Sequence, residues 1–156
     1  MTSPKPKAVI FDIDGTLSDY AHRAHHLSSD RSKSDWPAFF AEMGQDGLIS
    51  WCHDLLLNAH KKGHIIILLT GRPSTYQGET LAWLQKHGVP HHLLLMRPQD
   101  DWRPGNIMKA DLYHTQIKPH YDILFAVDDN PKILDMWQTL GVVAFATYTT
   151  DLPETL

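Results

Sequence analysis

The sequence predicts an α/β fold built on a doubly wound parallel sheet of about five strands, with helices on both faces. Short apolar runs rich in β-branched residues, which suit buried strands, alternate five times with longer amphipathic segments, which suit helices. Several of these runs end abruptly in polar residues, at the strand ends where open sheets bind ligands. At 156 residues, with 42% hydrophobic and 21% charged residues, the chain is expected to form one globular domain, residues 1–156.

The first predicted strand is the apolar run 8–11, which leads directly into Asp12 and Asp14. A turn forced by Gly15 lets both carboxylates face the space beyond the carboxyl end of the strand. A plain polar loop is the alternative, because Asp, Gly and Thr are common turn formers. A calcium loop fits poorly, because it needs Gly at its sixth position and Glu at its twelfth, whereas here the fourth is Gly and the twelfth is Arg23.

Residues 18–50 show no strand pattern and are interpreted as a small helical insert after the first strand. Asp35, Trp36 and Pro37 can open a short helix that runs through Met43. Such an insert could lie over the sheet, cover a substrate and exclude water. An ordinary long surface loop is an equally good interpretation of this stretch.

The remaining strands and helices follow in alternation. Helices are predicted over 50–63, 75–87, 106–118 and 132–140, and strands over 65–69, 93–96, 123–127 and 142–146. Ser50 can cap the first of these helices, and glycines end three of them. The tail from Thr147 is expected to be an exposed end.

Polar residues recur at the ends of the later strands. Thr70, Gly71 and Arg72 follow the second strand, and Asp128 and Asp129 follow the fourth. Each group also has a simple structural explanation, as a turn or as the start of a helix. A single lysine on a helix, such as the one at position 109, is usually a solvated side chain.

Taken together, the segments DIDGT (12–16), TGR (70–72), K109 and DD (128–129) resemble the four motifs of the haloacid dehalogenase (HAD) superfamily along essentially the whole chain. The resemblance implies a Rossmann-like sheet with the first strand between the second and the fourth. The segments FDIDGTL, LTGR, NIMKAD, KPHYD and VDDNPKILDMW look like the phosphatase domain of bacteriophage polynucleotide kinase 3′-phosphatase. The function implied is hydrolysis of a phosphate monoester.

This resemblance also implies roles for the catalytic residues. Asp12 would attack phosphorus and form an aspartyl-phosphate, and Asp14 would act as general acid and then as general base. Thr70 would bind the transferring phosphoryl oxygens. Lys109 would offset their charge and that of Asp12.

The resemblance further implies Mg²⁺ as the cofactor. Asp12, Asp128 and the backbone carbonyl of Asp14 would hold the ion, with Asp129 farther out or acting through water.

Substrate-binding residues are implied at four positions. Arg72 follows Gly71 in the second motif, and Arg23 matches by position an arginine of the insert. Arg97, in the loop after the third strand, is a further candidate.

The charge balance limits the substrate. With 14 Lys and Arg against 18 Asp and Glu, the net charge of −4 predicts no strong general binding of nucleic acid. The expected substrate is a phosphorylated nucleotide or the 3′ end of a nucleic acid. A 5′-(deoxy)nucleotidase and a non-catalytic protein that binds a phosphorylated ligand are the alternatives. No G-x-x-x-x-G-K-[ST] loop occurs, so no kinase half is expected.

Composition also bears on location. No apolar run could span a bilayer, and residues 1–7 lack the apolar segment of a signal peptide. The single cysteine, Cys52, falls in a predicted helix, suits a reducing compartment and is given no chemical role. Cytoplasm is therefore expected, of a bacterial host if the chain is phage-encoded. The eleven histidines are read as mostly surface residues without a zinc pattern, and no oligomeric state is predicted.

Overall fold

Residues 3–147, described by a computed structural model, build a parallel sheet around the first predicted strand. Its five strands are β1 (Lys7–Phe11), β2 (Ile65–Pro73), β3 (Leu93–Arg97), β4 (Asp122–Asp128) and β5 (Ala144–Ala146). They lie in the order β3-β2-β1-β4-β5, and every neighbouring pair is parallel. The predicted fold class and the central place of the first strand are confirmed.

Helices accompany this sheet along the chain. They are α1 (Trp36–Ala41), α2 (Ser50–Lys61), α3 (Gln77–Lys86), α4 (Gly105–Leu112) and α5 (Pro131–Thr139). Glycines with positive φ follow three of them, at Gly63 (86°), Gly88 (63°) and Gly141 (77°), as predicted. The Asn130 side chain accepts a hydrogen bond from the Lys132 amide at 2.9 Å and caps α5.

Several element boundaries differ from the prediction. Ser50 is the first residue of α2 rather than its cap, and Ile49 takes the cap position without a side-chain bond. Helix α4 gives way to a π-helical turn at Tyr113–Ile117, which a helical sequence pattern does not distinguish from an α-helix. The last strand begins at Ala144 rather than at residue 142.

Alternate side chains of β1 enter hydrophobic clusters on opposite faces of the sheet. Val9 and Phe11 pack with residues of α2 and α3, whereas Ala8 and Ile10 pack with residues of α4 and α5. All four side chains are at most 2% exposed. Burial on both faces explains why this strand is an uninterrupted apolar run.

Residues 18–50, which we call the cap, form a packed layer of their own. Short strands Ser18–Asp19 and Gly47–Leu48 pair antiparallel at its base, so the prediction that this stretch contains no strand is wrong. The Asp35 side chain accepts a hydrogen bond from the Ala38 amide at the start of α1, as predicted. The helix ends at Ala41, however, rather than at Met43. Apolar side chains give the cap a separate cluster: Tyr20, Ala24, Leu27, Phe39, Phe40 and Met43. This cluster sets the cap apart from an ordinary surface loop.

The chain after β5 turns back toward the end of β1. Thr147 is 4% exposed, its amide donates to the Asp128 carbonyl at 3.0 Å, and its hydroxyl donates to the Gly15 carbonyl at 2.9 Å. The predicted exposed end is therefore wrong at Thr147, and its remainder, 148–156, lies outside the described residues.

Within residues 3–147, none of the helices combines the length and the apolar character needed to cross a membrane.

Trp83→Ala should lower the free energy of unfolding by about 3–5 kcal/mol. The indole is 2% exposed in the core, and its Nε1 donates to the Asp46 carbonyl at 2.9 Å, which ties α3 to the cap. Urea denaturation followed by circular dichroism measures the loss. Trp51, 55% exposed on α2, is the matched control, and Trp51→Ala should cost less than about 0.5 kcal/mol. Equal losses would contradict the core role of Trp83.

Candidate active site

The carboxyl end of β1 delivers two acidic residues into the crevice beyond the sheet. The Asp12 amide still donates to the Val127 carbonyl of β4 at 3.0 Å, which holds Asp12 in line with the sheet. Gly15 then turns the chain with φ +80°, and its amide donates to the Ser18 carbonyl at 2.8 Å. The tight turn therefore follows directly on Asp14, as the sequence predicts.

Asp12 belongs to a cluster of three carboxylates. Oxygens of Asp12, Asp128 and Asp129 all lie within 4.8 Å of one another. Lys109 Nζ, on α4, donates to Asp12 Oδ1 at 3.0 Å and to Asp128 Oδ2 at 2.8 Å. The Asn130 amide donates to Asp128 Oδ1 at 3.0 Å. The chain thus brings together four residues predicted for the site from three separate elements.

Burial and neighbouring charges perturb the pKa values in this cluster. Burial, and then the Asp128 carboxylate, raises the pKa of Asp12 to about 7. Burial, and then Asp12 and Asp128, raises the pKa of Asp129 well above its usual value. Burial by itself would lower the pKa of Lys109. The carboxylates of Asp12 and Asp128 outweigh this effect and raise the pKa above its usual value. The ammonium therefore stays charged at neutral pH.

The donor set of this cluster fits a hard divalent cation. Every ligand is a carboxylate oxygen, the type that Mg²⁺ and Ca²⁺ prefer. Asp129 Oδ1 is buried and, among the described residues, has no hydrogen-bond partner. An unpaired buried oxygen beside two further carboxylates is a position that a bound cation would satisfy. For Asp14 the prediction involves only the backbone carbonyl as a metal ligand. The side chain of Asp14 accordingly lies outside the cluster.

The Asp14 carboxylate instead lies between two buried arginines. Arg72 donates from Nε to Asp14 Oδ2 at 3.0 Å and from Nη2 to Oδ1 at 2.9 Å. Arg23 Nη2, from the cap, also donates to Asp14 Oδ1. Both arginines are 0% exposed. Arg23 and Arg72, predicted to bind substrate, are thus paired with an acid of the site.

Asp46 completes this arrangement, and sequence reasoning missed it. It accepts from Arg23 Nε at 2.8 Å and Arg23 Nη2 at 2.6 Å, while His22 Nε2 lies 2.7 Å from its Oδ1. In the sequence Asp46 precedes a glycine and reads as a turn residue. No local sequence signal marks it, because the need for a second carboxylate follows only from the burial of the two arginines.

The two arginines determine the protonation of Asp14. Although burial raises the pKa of Asp14, Arg72 and then Arg23 hold it well below its usual range. In this arrangement Asp14 is ionised and has no proton to donate. The general-acid role expected for it requires the guanidinium groups to turn to another anion.

The remaining predicted residues line the end of β2. Thr70 is fully buried, and its hydroxyl oxygen accepts from the Arg72 amide at 3.1 Å. Arg97 Nε donates to the Gly71 carbonyl at 3.0 Å. Arg97 therefore holds the backbone between Thr70 and Arg72.

Apart from His22, which contacts Asp46, the histidines and the cysteine have no role in the arrangement described above. All eleven histidines fall within residues 3–147 and are exposed or half-buried, as predicted. His25, His26 and Glu42 place possible ligand atoms within 4.8 Å of one another, a grouping the sequence did not reveal. His26 Nε2 lies 3.1 Å from Glu42 Oε1, and this direct contact explains without a bound ion why these two side chains lie together. Cys52 is buried in α2, and burial raises the pKa of its thiol to about 12.

Comparison with known families agrees with this geometry. The family model described as the polynucleotide kinase PNKP phosphatase domain matches residues 6–151. The chain belongs to this HAD family. The predicted superfamily is confirmed, and the chain is accordingly a phosphatase domain of the HAD type.

Relatives support the same family. A candidate bifunctional polynucleotide kinase/RNA ligase of Autographa californica nuclear polyhedrosis virus is 29% identical over 138 residues, which are 88% of this chain and 18% of that protein. A structure described as the Pnkp1/Rnl/Hen1 complex is 34% identical with a TM-score of 0.79, over 93% of this chain and 47% of the other. The chain thus spans less than half the length of these relatives.

More distant structures share the fold. A class C acid phosphatase from Bacillus anthracis with tungstate bound has a TM-score of 0.64 at 19% identity, over 93% of this chain and 68% of that one.

Gly15→Ala should lower the free energy of unfolding by about 1–3 kcal/mol and weaken divalent-cation binding. A Cβ at Gly15 would lie 2.0 Å from Asp129 Oδ2, and φ +80° disfavours any side chain. Thermal unfolding and calorimetric titration with magnesium chloride measure the two effects. Gly44→Ala is the matched control, because a Cβ there meets nothing within 4 Å. Unchanged cation affinity in Gly15→Ala would contradict a role for Asp129 in the cluster.

Proposed function

We propose that the protein is a magnesium-dependent phosphomonoesterase that removes the phosphate from a 3′-phosphorylated polynucleotide or nucleotide through an aspartyl-phosphate intermediate. The family match and the carboxylate cluster around Lys109 support phosphate hydrolysis. The viral relative is described as a polynucleotide kinase/RNA ligase, and a second structure of the Pnkp1/Rnl/Hen1 assembly, 34% identical to this chain, is described as an RNA repair complex. Both descriptions support a nucleic-acid end as substrate.

Asp12 is the proposed nucleophile. Its carboxylate oxygen attacks phosphorus, the ester P–O bond breaks, and its electron pair leaves with the 3′ oxygen of the sugar. Lys109, 3.0 Å from Asp12 Oδ1, orients the carboxylate and offsets the charge that builds up on the phosphoryl oxygens. The buried Thr70 hydroxyl is proposed to bind one of those oxygens.

Asp14 is the proposed general acid and base. An incoming phosphate would accept hydrogen bonds from Arg23 and Arg72, whose guanidinium groups keep Asp14 ionised when no substrate is bound. Loss of those contacts raises the pKa of Asp14, so the buried carboxyl can carry a proton to the leaving oxygen. Asp14 then takes a proton from the water that attacks the aspartyl-phosphate and releases inorganic phosphate.

Mg²⁺ is the proposed cofactor. Asp12, Asp128, Asp129 and the backbone carbonyl of Asp14 would hold it. When bound, the ion neutralises negative charge on the phosphoryl group and on the attacking carboxylate. This role suits the cluster, because three carboxylates gather there and the Lys109 ammonium donates to two of them.

Residues 1–156 are proposed to act as one phosphatase domain, with the cap covering the substrate. The packing of the cap through Arg23 onto Asp14 supports this arrangement. A bacteriophage origin and the bacterial cytoplasm remain predictions, and the viral relative comes from a baculovirus.

A 5′-nucleotidase and a non-catalytic binding protein are the alternatives. Membership of a phosphatase family, together with an acid placed beside the proposed nucleophile, favours an enzyme over a binding protein.

Asp12→Asn should lower phosphate release by at least about a thousandfold, because the amide keeps the shape of the side chain but is not a nucleophile. The assay measures inorganic phosphate from a 3′-phosphorylated oligonucleotide, a 3′-mononucleotide and 5′-mononucleotides, each with and without Mg²⁺. Asp54→Asn, at an exposed position of α2, is the control and should keep full activity. Preference for 5′-mononucleotides would overturn the 3′-phosphatase proposal, and turnover by Asp12→Asn would overturn the intermediate.

Mg²⁺ should stabilise the protein more at pH 8 than at pH 5.5. Folding raises the pKa of Asp12 to about 7, so folded protein without metal keeps a proton that the unfolded chain has already lost above about pH 4. The stability of metal-free protein therefore falls as the pH rises from about 4 to 7. Metal binding requires the ionised carboxylates, and so it offsets this loss at high pH.

Thermal unfolding at both pH values, with and without magnesium chloride, checks this expectation. At roughly 100-fold excess over Kd we expect a rise of about 5–10 °C at pH 8 and a much smaller one at pH 5.5. Asp129→Asn should raise the melting temperature of metal-free protein at pH 8 and reduce the shift caused by Mg²⁺. An equal shift at both pH values would argue against a site made of these carboxylates.

A further inference from the structure

An aromatic pocket lies between the cap and the loops that follow β2 and β3. Its volume is about 300 Å³, near the lower end for small-molecule sites. Four aromatic and two arginine side chains are central to its lining: Trp36, Phe40, Tyr76, Trp102, Arg31 and Arg97. The mechanism proposed above uses none of the four rings.

Three of the four rings form a continuous wall. Trp36 stacks on Phe40 with centroids 6.0 Å apart and planes at 24°, and Phe40 meets Tyr76 at 4.9 Å. The Arg31 guanidinium lies 5.6 Å from the Trp36 centroid. Trp102, 73% exposed, lies on the side of the β3 loop. Aromatic and guanidinium faces of this kind are what single nucleobases stack on.

Arg97, which lines this pocket, carries a hydrogen-bond donor that the described residues do not use. The residue is 2% exposed, and its Nε and Nη1 donate to the backbone carbonyls of Gly71, Asp101 and Arg103. Its buried Nη2 has no partner among residues 3–147. Burial, and then Arg31, lowers the pKa of Arg97 to about 10, so the group stays charged at neutral pH. Leaving a charged donor unpaired is costly, which favours an oxygen acceptor supplied by a ligand.

The pocket adjoins the proposed phosphate site through the backbone. Arg97 holds the carbonyl of Gly71, which lies between Thr70 and the Arg72 that pairs with Asp14, and Tyr76 lies four residues beyond Arg72. The pocket therefore begins at the same strand end that carries Thr70 and Arg72, which is the basis for assigning to it a group attached to the phosphate.

We propose that the aromatic pocket binds the nucleobase of the nucleotide that carries the phosphate, stacked on the wall formed by Trp36, Phe40 and Tyr76 and covered by Trp102. Arg97 Nη2 donates to an oxygen of the same nucleotide. This assignment rests on the proposed function. It makes the substrate a nucleotide unit with an intact base, rather than any phosphate monoester that fits the carboxylates.

The test compares two oligonucleotides with 3′-phosphate ends, one with a normal terminal base and one with an abasic terminal sugar. In the unaltered protein the normal end should have a KM lower by roughly tenfold to a hundredfold, which is the range expected for one stacked base. Trp102→Ala and Tyr76→Ala should each raise the KM of the normal end toward that of the abasic end. They should leave kcat and the abasic KM nearly unchanged.

Trp51→Ala, at an exposed position outside the pocket, is the matched control. Because Trp102 is 73% exposed, loss of its ring leaves the core packing intact. Equal KM values for the two ends in the unaltered protein, or variants that change both ends alike, would overturn the proposal.

Assays with 5′-phosphorylated substrates separate this proposal from the proposed function. If 3′-phosphates are not turned over but 5′-mononucleotides are, the proposed function fails, and the pocket is tested by comparing a 5′-mononucleotide with ribose 5-phosphate. The same KM difference, abolished by Trp102→Ala, would keep the nucleobase assignment. Its absence would overturn that assignment too.

Discussion

The pairing of Asp14 with Arg23 and Arg72 is the interaction on which the rest of the site depends. It joins the end of β1, the cap and the end of β2, and all three side chains are buried. Charges removed from water are tolerated when each has partners in good geometry, and Asp46 supplies the second carboxylate. The cap is thus attached to the sheet by the same charges that surround the proposed phosphate site.

The two charge clusters of the crevice are balanced differently. Around Asp14 and Asp46, two guanidinium groups compensate two carboxylates, whereas around Asp12 three carboxylates share one ammonium. The first cluster is therefore nearly neutral without a ligand, and the second gains most from a cation. A phosphate monoester with a bound metal would contact both, because its negative oxygens suit the arginines and its cation suits the carboxylates.

Much of the fold could be predicted from local pattern. The apolar runs predicted the five main strands, and for β1 the reason is burial on both faces of the sheet, which excludes polar side chains. The cap was harder, since its two-residue strands are too short to show a period and its buried residues come from several turns. Thr147 was expected to be exposed for a similar reason, as its partners Gly15 and Asp128 lie far away in the sequence.

At the site, the sequence by itself determined that Asp12 and Asp14 follow β1 and that Asp128 and Asp129 lie at the end of β4. It also determined that Lys109 lies between these two pairs along the chain. Each of these residues belongs to a motif that can be recognised in the sequence. The tertiary structure alone decided that Arg23 and Arg72 meet on Asp14, that Asp46 joins them, and that aromatic rings of the cap face the loops after β2 and β3. Ion pairs and stacked rings depend on distances of a few ångströms in space. No local pattern encodes such distances between side chains that come from different elements of the fold.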